Sequence, residues 1–137
     1  MKTKLIILCL GILLSACYKD RITADGNIKS EIRNLATFTE VHSSGSNKVH
    51  ISYGTEYKIE VRGSGNLVSV FKTRVYNNKL SLGYERINVN HDDIEVFVTM
   101  PLLTELSLSG SGKADISGSF PDQENFNLRI SGSADVV

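Results

Sequence analysis

The sequence predicts an all-β domain built as a solenoid of stacked rungs. Apolar and polar residues alternate with a period of two through most of the chain, Gly-Ser-Gly segments recur, and these segments follow similar pairs of apolar residues. A length of 137 residues, with 41% hydrophobic and 22% charged residues, is typical of one globular domain. Lys and Arg balance Asp and Glu at 15 each, which argues against a nucleic-acid-binding protein because such a protein needs a basic excess.

The N-terminal residues 1–16 are predicted to be a lipoprotein signal peptide. Two lysines precede the apolar run Leu5–Leu14, which is shorter than the roughly 20 residues that a membrane-spanning helix needs. The following Leu14-Ser15-Ala16-Cys17 resembles the lipobox of bacterial lipoproteins. This resemblance implies cleavage before Cys17 and acylation of that cysteine, with palmitate as a typical acyl group. The alternative is an ordinary secretory signal followed by a chance cysteine.

Residues 17–26 are predicted to form the lipidated N-terminus and a polar tether, and residues 27–137 the folded domain. Cys9 leaves with the signal peptide and Cys17 is acylated, so we expect no disulfide. Acyl chains bind membranes because each buried CH₂ adds about 0.8 kcal/mol. We therefore expect a cell-envelope protein anchored in the outer membrane. Lys19-Asp20 faintly resembles the surface-export signal of Bacteroidetes lipoproteins, which leaves the leaflet open.

Strands are predicted wherever the alternation is clean. The segment Ile94–Met100 is the clearest and ends at Pro101, which cannot donate to a central ladder. The segment from Asn27 to Leu35 fits either a weak helix or a leading strand. The remaining predicted strands are Val49–Tyr53, Tyr57–Arg62, Leu106–Leu108 and Leu128–Ile130.

A short motif recurs along the chain. Its copies begin at Ile59, Leu80, Leu106 and Leu128, which are 21, 26 and 22 residues apart, and Thr39-x-Val41 begins an earlier candidate copy. The last copy is interpreted as shortened after Ser133. After the last two copies the chain resumes as Ala-Asp-Ile and Ala-Asp-Val, which places Asp115 and Asp135 at equivalent positions. The motifs are Ile59-x-Val61-x-Gly63-Ser64-Gly65, Leu80-Ser81-Leu82-Gly83, Leu106-x-Leu108-x-Gly110-Ser111-Gly112 and Leu128-x-Ile130-x-Gly132-Ser133.

Copies of 20 to 26 residues are too short to bury an apolar face alone, so successive copies are expected to stack as rungs of one core. Stacked strands lie about 4.8 Å apart, which brings equivalent corners close together. Gly accepts φ > 0 at a corner, and the Ser hydroxyl satisfies backbone groups there. The alternative is a β-sandwich with Gly/Ser hairpins.

The order of these motifs resembles the putative auto-transporter adhesin head GIN domain, a family of Bacteroidetes lipoproteins formerly described as a domain of unknown function. The resemblance covers roughly residues 26 to 137 and implies a right-handed β-helix-like superhelix with Gly-Ser-Gly turns. It also implies a role in cell adhesion without an established catalytic site. The matching residues are Phe38–Val41, Val49–Ile51, Tyr57–Val61, Asn66-Leu67, Leu80–Leu82, Val96–Leu102 and Leu106–Gly112.

In this alignment Val137 corresponds to Ser117 of the preceding copy, directly after a strand has begun. The last rung is therefore expected to have an open edge with unpaired backbone groups. Family members usually carry further rungs, and the chain is therefore interpreted as a truncated member or as one that another chain completes by strand addition. Self-association through this C-terminal edge follows as a hypothesis.

The sequence predicts no catalytic, cofactor-binding or metal-binding residue. His42 and His50 alternate with apolar residues and are expected to face solvent. His91-Asp92-Asp93 is expected to be a polar loop, with a divalent cation at the two aspartates as the alternative. Ser111 lies between two glycines without a following helix pattern, so it is expected at a corner and not in a nucleophile elbow or a phosphate loop.

Three functions remain open. The first is a non-catalytic, lipid-anchored cell-envelope protein that binds a surface glycan or protein as an adhesin. The second is a structural or assembly module that uses its open solenoid end. The third is a polysaccharide-acting enzyme in which Asp115 and Asp135, stacked one rung apart, provide the two carboxylates of glycoside hydrolysis.

Overall fold

The computed structural model describes residues 20–122 and 124–137. The predicted signal peptide and the predicted acylation site, Cys17, lie outside these residues. Within them the chain forms thirteen strands and one short helix. The elements are β1 (Asp20–Thr23), β2 (Ile28–Arg33), β3 (Glu40–Gly45), β4 (Lys48–Tyr53), β5 (Lys58–Ser64), α1 (Gly65–Val70), β6 (Lys72–Tyr76), β7 (Lys79–Gly83), β8 (Ile87–Asn90), β9 (Glu95–Met100), β10 (Glu105–Gly110), β11 (Lys113–Ser117), β12 (Asn127–Gly132) and β13 (Asp135–Val136).

Two large sheets enclose one core. The five-stranded sheet has the order β12-β10-β3-β7-β6, and the six-stranded sheet has the order β13-β11-β4-β9-β5-β2. A two-stranded sheet pairs β1 with β8 in parallel, so residues Asp20–Thr23, within the segment predicted as a tether, form a strand. Residues facing inward from both large sheets belong to one buried apolar cluster, which explains the period of two in the sequence.

Three strand pairs cross from the five-stranded to the six-stranded sheet: β3–β4, β10–β11 and β12–β13. Each of these pairs is called a rung below. Neighbouring rungs pair in parallel in both sheets, with Leu106 in register with Val41 on one side and Leu128 on the other. On the far side of β3, Val41 is in register with Leu80. Val41, Leu80, Leu106 and Leu128 are therefore structurally equivalent, and the first copy begins at Val41 instead of at Thr39 as predicted.

The all-β prediction is confirmed, but the sheets are open and no continuous solenoid is shown. The rungs do not stack in chain order, because the first rung, β3–β4, lies between β10–β11 and the strands β7 and β9. The copy that begins at Ile59 is not equivalent to the others. It lies in β5, which pairs antiparallel with β9, and its Gly63-Ser64-Gly65 leads into α1 instead of turning a corner between sheets.

The sequence pattern did not predict the helix α1, nor did it predict the strands β1, β6 and β8. The helix includes the β-branched Val68 and Val70, which are poor helix formers. Burial compensates, since Leu67 and Val68 are almost fully buried and the helix packs against β2 and β5. Arg33 also donates a hydrogen bond of 2.9 Å to the Val68 carbonyl. The segment from Asn27 to Leu35, left open between helix and strand, contains the strand β2.

Among the described residues, no helix combines the length and the apolar character required to cross a membrane.

Candidate functional site

The outer face of the six-stranded sheet brings titratable and aromatic side chains together. Here "outer face" means the side whose residues alternate with the buried core residues. His50 on β4 is in register with Asp115 on β11 and with Phe97 on β9. Phe97 is in turn in register with Glu60 on β5. These residues form one row across four strands, which is called the His50 row below.

His50 is held between two carboxylates and an aromatic ring. Its Nδ1 lies 2.5 Å from Asp115 Oδ1, and its Nε2 lies 3.9 Å from Glu95 Oε2. The imidazole stacks on the Phe97 ring with a centroid distance of 4.7 Å and an interplanar angle of 17°. A hydrogen bond donated by the Nδ1–H group to Asp115 orients the ring. The other ring nitrogen, Nε2, is buried and has no hydrogen-bond partner among the described residues.

Ion pairs flank the His50 row. Lys48 Nζ lies 3.4 Å from Glu95 Oε1, and Lys58 Nζ lies 3.3 Å from Glu60 Oε2. The pKa of Glu60 is lowered, first by the hydrogen bond from the Ser30 hydroxyl and then by the one from Lys58. The side chains of Lys48 and Lys58 are more than half exposed, so these pairs contribute little stability and remain accessible to a ligand.

Hydroxyl groups form a parallel row beside the His50 row. Ser52 on β4 is in register with Ser117 on β11 and with Thr99 on β9. The Ser52 and Thr99 hydroxyl oxygens are 3.3 Å apart, within hydrogen-bond distance. This face therefore presents donors, acceptors, charges and one aromatic stack at the regular spacing of neighbouring strands, about 4.8 Å.

The outer face of the five-stranded sheet is polar as well, but its groups do not converge in the same way. His42 lies beside Ser107 and Ser81 and is partly exposed, as the sequence predicts. Lys79 pairs with Glu40 at 3.3 Å and with Glu105 at 3.8 Å.

Asp92 and Asp93, the candidate cation ligands, bind protein donors. The Asp92 carboxylate accepts hydrogen bonds from the Tyr84 hydroxyl at 2.9 Å, from the Ser46 hydroxyl at 3.2 Å and from the Ile94 amide at 3.1 Å. The Asp93 carboxylate accepts two hydrogen bonds from Ser64. In residues 20–122 and 124–137, no cluster of three or more His, Cys, Asp or Glu side chains could hold a metal ion.

Tyr84 lines a cleft of about 240 Å³ together with Asp92 and the Gly45-Ser46 corner. Burial raises the pKa of Tyr84, and the negative charge of Asp92 raises it further. The phenol is therefore kept protonated as a hydrogen-bond donor to Asp92, and this bond fastens the loop before β9 to the segment that follows β7. The bond from the Ser46 hydroxyl connects the same carboxylate to the corner of the first rung.

The expected stacking of Asp115 on Asp135 is wrong. In the structure Asp135 is in register with Lys113, and its carboxylate lies 3.8 Å from the Lys113 ammonium group. The separation along the chain that pairs Leu106 with Leu128 before the corner also pairs Lys113 with Asp135 after it. Asp135 is therefore in register with a residue two positions before Asp115. The carboxylate pair on which the glycosidase hypothesis depends is thus not formed.

Ser111 lies at the exposed corner between β10 and β11, as predicted, and its amide donates to the Gly45 carbonyl at 3.1 Å.

The sequence interpretation missed the His50 row. The available signal was the equivalence of Val41 and Leu106, since the same separation of 65 residues relates His50 to Asp115. Extending the first copy past its Gly-Ser corner would have placed the two side chains side by side.

Comparison with known proteins identifies the fold. Several crystal structures resemble the chain, and three of them have 14–19% sequence identity to it. A putative adhesin from Bacteroides fragilis has 18% identity and a TM-score of 0.76, over 84% of this chain and 54% of that one. A putative lipid binding protein from Parabacteroides distasonis has 19% identity and a TM-score of 0.75, over 85% and 51%. A putative adhesin from Parabacteroides merdae has 14% identity and a TM-score of 0.73, over 85% and 55%.

The chain thus spans about half the length of these proteins. No curated protein matches its sequence significantly. The family model described as putative auto-transporter adhesin, head GIN domain, matches residues 37–137, nearly all of the two large sheets. The chain therefore belongs to the putative auto-transporter adhesin head GIN domain family.

Proposed function

We propose that the chain is a non-catalytic adhesion module of the cell envelope, anchored to a membrane through Cys17, that binds a surface partner with the outer face of its six-stranded sheet. Its family is described as a head domain of adhesins, and two of the three structures above carry the name adhesin. These names and the shared fold support the class of function, and the arrangement of the sheet supports the location of the binding face.

The observation that carries the proposal is the His50 row. Four strands place an acid, an imidazole, an aromatic ring and a second acid side by side on an exposed face, with a row of hydroxyl groups next to it. Such a face suits an extended partner, because every 4.8 Å or so it offers another hydrogen-bonding or stacking group. Extended glycans and the edges of surface proteins have this repeating chemistry.

The proposed anchor fits the position of the first strand. Asp20, the first residue of β1, is three residues after Cys17 in the sequence. A short link of that kind would hold the domain close to the membrane surface. We propose the outer membrane as the location, because the acyl chains on Cys17 would bind it and because the chain resembles the lipoproteins of Bacteroidetes.

The test of the binding face uses full-length chain displayed on cells, with arrays of polysaccharides and immobilised extracellular-matrix proteins as probes. Phe97→Ala removes the ring on which His50 stacks and is expected to lower binding to the captured probe at least tenfold. Tyr76→Ala is the matched control, since Tyr76 is 77% exposed and lies on β6 of the five-stranded sheet. Equal loss in the two variants, or loss in Tyr76→Ala alone, contradicts the proposed face.

The anchor is tested separately with an alkyne analogue of palmitate supplied to the producing cells. The wild-type chain is expected to take up the label and to fractionate with membranes, whereas Cys17→Ser is expected to do neither. Protease treatment of intact cells then reports the leaflet. A chain that is resistant until the cells are lysed cannot bind partners outside the cell, and this result would exclude the adhesion proposal.

A further inference from the structure

The repeat of corners is interrupted beside the first rung. The strands β7 and β9 pair with β3 and β4, so they occupy the place of the next rung. In the first rung residues 46–47 connect the two strands, whereas residues 84–94 connect β7 to β9 and contain β8. Binding residues are often carried by connections that a rigid scaffold positions. This insertion therefore makes the corner a candidate site apart from the His50 row.

The insertion leaves a cleft at the corner of the first rung. On one side of this corner Gly110 lies directly on Gly45. A Cβ added to Gly45 itself would, apart from its chain neighbours, meet nothing nearer than Asn47 Oδ1, at 3.7 Å. In place of a further stacked corner the chain has β8, whose pairing with β1 makes it a fixed wall. The space that results is the cleft of about 240 Å³ beside Tyr84, and it is called the corner cleft below.

Asp92 contributes a fixed carboxylate to the corner cleft. Its Oδ1 accepts hydrogen bonds from Tyr84 and Ile94, and its Oδ2 accepts one from Ser46. Each oxygen of a carboxylate has two acceptor positions, so Oδ2 keeps one for a further donor. Among the described residues that line the cleft, Asp92 is the one with a charged side chain. The cleft therefore favours a ligand that donates hydrogen bonds and disfavours an anion.

The other walls of the corner cleft combine polar and apolar groups. Ser44 and Asn88 both line it. The Asn88 side chain is exposed on β8 and has no hydrogen-bond partner in the part of the chain that the structure describes. Ile87 and Val89 line the cleft from the same strand and are partly buried. The cleft thus offers hydrogen-bonding groups beside an apolar wall, as small-molecule sites do.

A buried acceptor without a partner lies at the floor of the corner cleft. Asn47 is 2% exposed, and its Nδ2 donates to the Ser43 hydroxyl at 3.0 Å. Its Oδ1 is buried and has no hydrogen-bond partner among the described residues. The same Oδ1 is the atom that a Cβ added to Gly45 would approach. Since an unpaired buried acceptor is costly, a donor brought to this floor is stabilised.

We propose that the corner cleft binds one pyranose unit of a glycan. The hydroxyl groups of a pyranose donate to Asp92 and pair with Ser44 and Asn88. Its face of C–H groups packs against Ile87 and Val89. Pockets for drug-sized ligands have about 300–1,000 Å³, so a space of about 240 Å³ suits one ring. The site goes beyond the proposed binding face, because no residue of the His50 row lines it.

The test measures the binding of single sugars to the full-length chain, kept in a detergent whose head group is not a sugar. The probes are the methyl pyranosides of glucose, galactose, mannose and N-acetylglucosamine. Butylammonium chloride is the comparison, as a cation that has no hydroxyl group. Backbone amide signals of the isotope-labelled chain are followed by NMR during each titration. We expect a pyranoside to shift the Ser46 and Asn88 signals to saturation, with a Kd in the millimolar range.

Three substitutions assign the binding to the corner cleft. Asn88→Ala removes an exposed amide without a partner in the described chain, so it should leave thermal unfolding unchanged and weaken sugar binding about fivefold or more. Asp92→Asn keeps the shape of the side chain but removes its charge, and it should weaken binding about tenfold or more. Asn90→Ala is the matched control, since Asn90 is exposed on the same strand and does not line the cleft. Its affinity should stay within about twofold of the wild-type value.

Phe97→Ala separates this site from the proposed binding face and is expected to leave sugar binding unchanged. If Phe97→Ala abolishes the binding while Asn88→Ala and Asp92→Asn retain it, the sugar binds at the His50 row. That result overturns the inference and leaves the adhesion proposal in place. Equal weakening by Asn88→Ala and Asn90→Ala also overturns the inference. The same holds if no pyranoside causes a saturable shift, or if butylammonium alone causes one.

Discussion

Gly110 lies on Gly45 at a stacked corner so closely that a Cβ added to Gly110 would be 2.7 Å from the Gly45 carbonyl oxygen. Gly132 lies on Gly110 in the same way, with 2.5 Å between an added Cβ and the Gly110 carbonyl oxygen. The three glycines are in register, and each turns from the five-stranded towards the six-stranded sheet. The recurrence of Gly-Ser in the sequence therefore follows from the spacing of the rungs.

Gly110→Ala is expected to destabilise the domain by about 2–5 kcal/mol, because the methyl group meets backbone that cannot move aside and because φ is +102°. Gly26→Ala is the matched control. Gly26 also has a positive φ, of +74°, but an added Cβ there would meet nothing within 4 Å. Its cost should be limited to about 1–2 kcal/mol of backbone strain. Urea unfolding of the two variants measures the difference, and equal losses would contradict the stacking of the corners.

Short-range patterns allowed part of the fold to be predicted. The alternation in Ile94–Met100 and the corner at Gly110 depend on neighbours in the sequence, and the structure has a strand and a corner there. The position of the first rung between later ones depends on pairing across long separations, which no local pattern encodes. The helix α1 depends on burial of Leu67 and Val68, which overcomes the low helix propensity of its valines.

For the candidate site as well, the sequence predicted what depends on neighbouring residues and missed what depends on pairing between distant strands. The sequence pattern correctly placed His50 on an outer face, because its neighbours Val49 and Ile51 are apolar. Its partner Asp115 is 65 residues away and could only be found by aligning the first rung with the second through their corners. The alignment of Asp115 with Asp135 failed because it assumed a shortened corner that the register does not contain.

The buried Ser64 predicts a second effect on stability. Its hydroxyl donates to Asp93 at 2.6 Å and accepts a hydrogen bond from the Gly26 amide at 2.9 Å. Ser64→Ala leaves both groups without this partner and should lower the free energy of unfolding by about 1–3 kcal/mol. The exposed Ser81 is the control, and Ser81→Ala should change stability by less than about 0.5 kcal/mol. Thermal unfolding tests both, and a neutral Ser64→Ala would refute the role of this contact.

Stability at high pH is predicted from Tyr84. The folded state raises the pKa of its phenol, whereas in the unfolded chain a tyrosine ionises near pH 10. The stabilisation is therefore fully present below about pH 10 and is lost as the pH rises, by at most about 1.4 kcal/mol per pH unit for one proton. Tyr84→Phe should make the loss above pH 10 shallower. Tyr76→Phe, at an exposed tyrosine, should leave it unchanged, and urea unfolding between pH 9 and 11 distinguishes the two.

The contact between His50 and Asp115 should appear as an interaction energy. A double-mutant cycle with His50→Ala and Asp115→Ala is expected to give about 0.5–1 kcal/mol, reduced from the value of a buried charged hydrogen bond because the two side chains are 32% and 46% exposed. Lys113 and Asp135 provide the control, since their side chains are each 67% exposed and their charged atoms are 3.8 Å apart. A cycle on that pair should give less than about 0.3 kcal/mol. Equal coupling in the two cycles would show that His50 is an ordinary solvated side chain, and the His50 row would then lose the fixed geometry on which the proposed binding face depends.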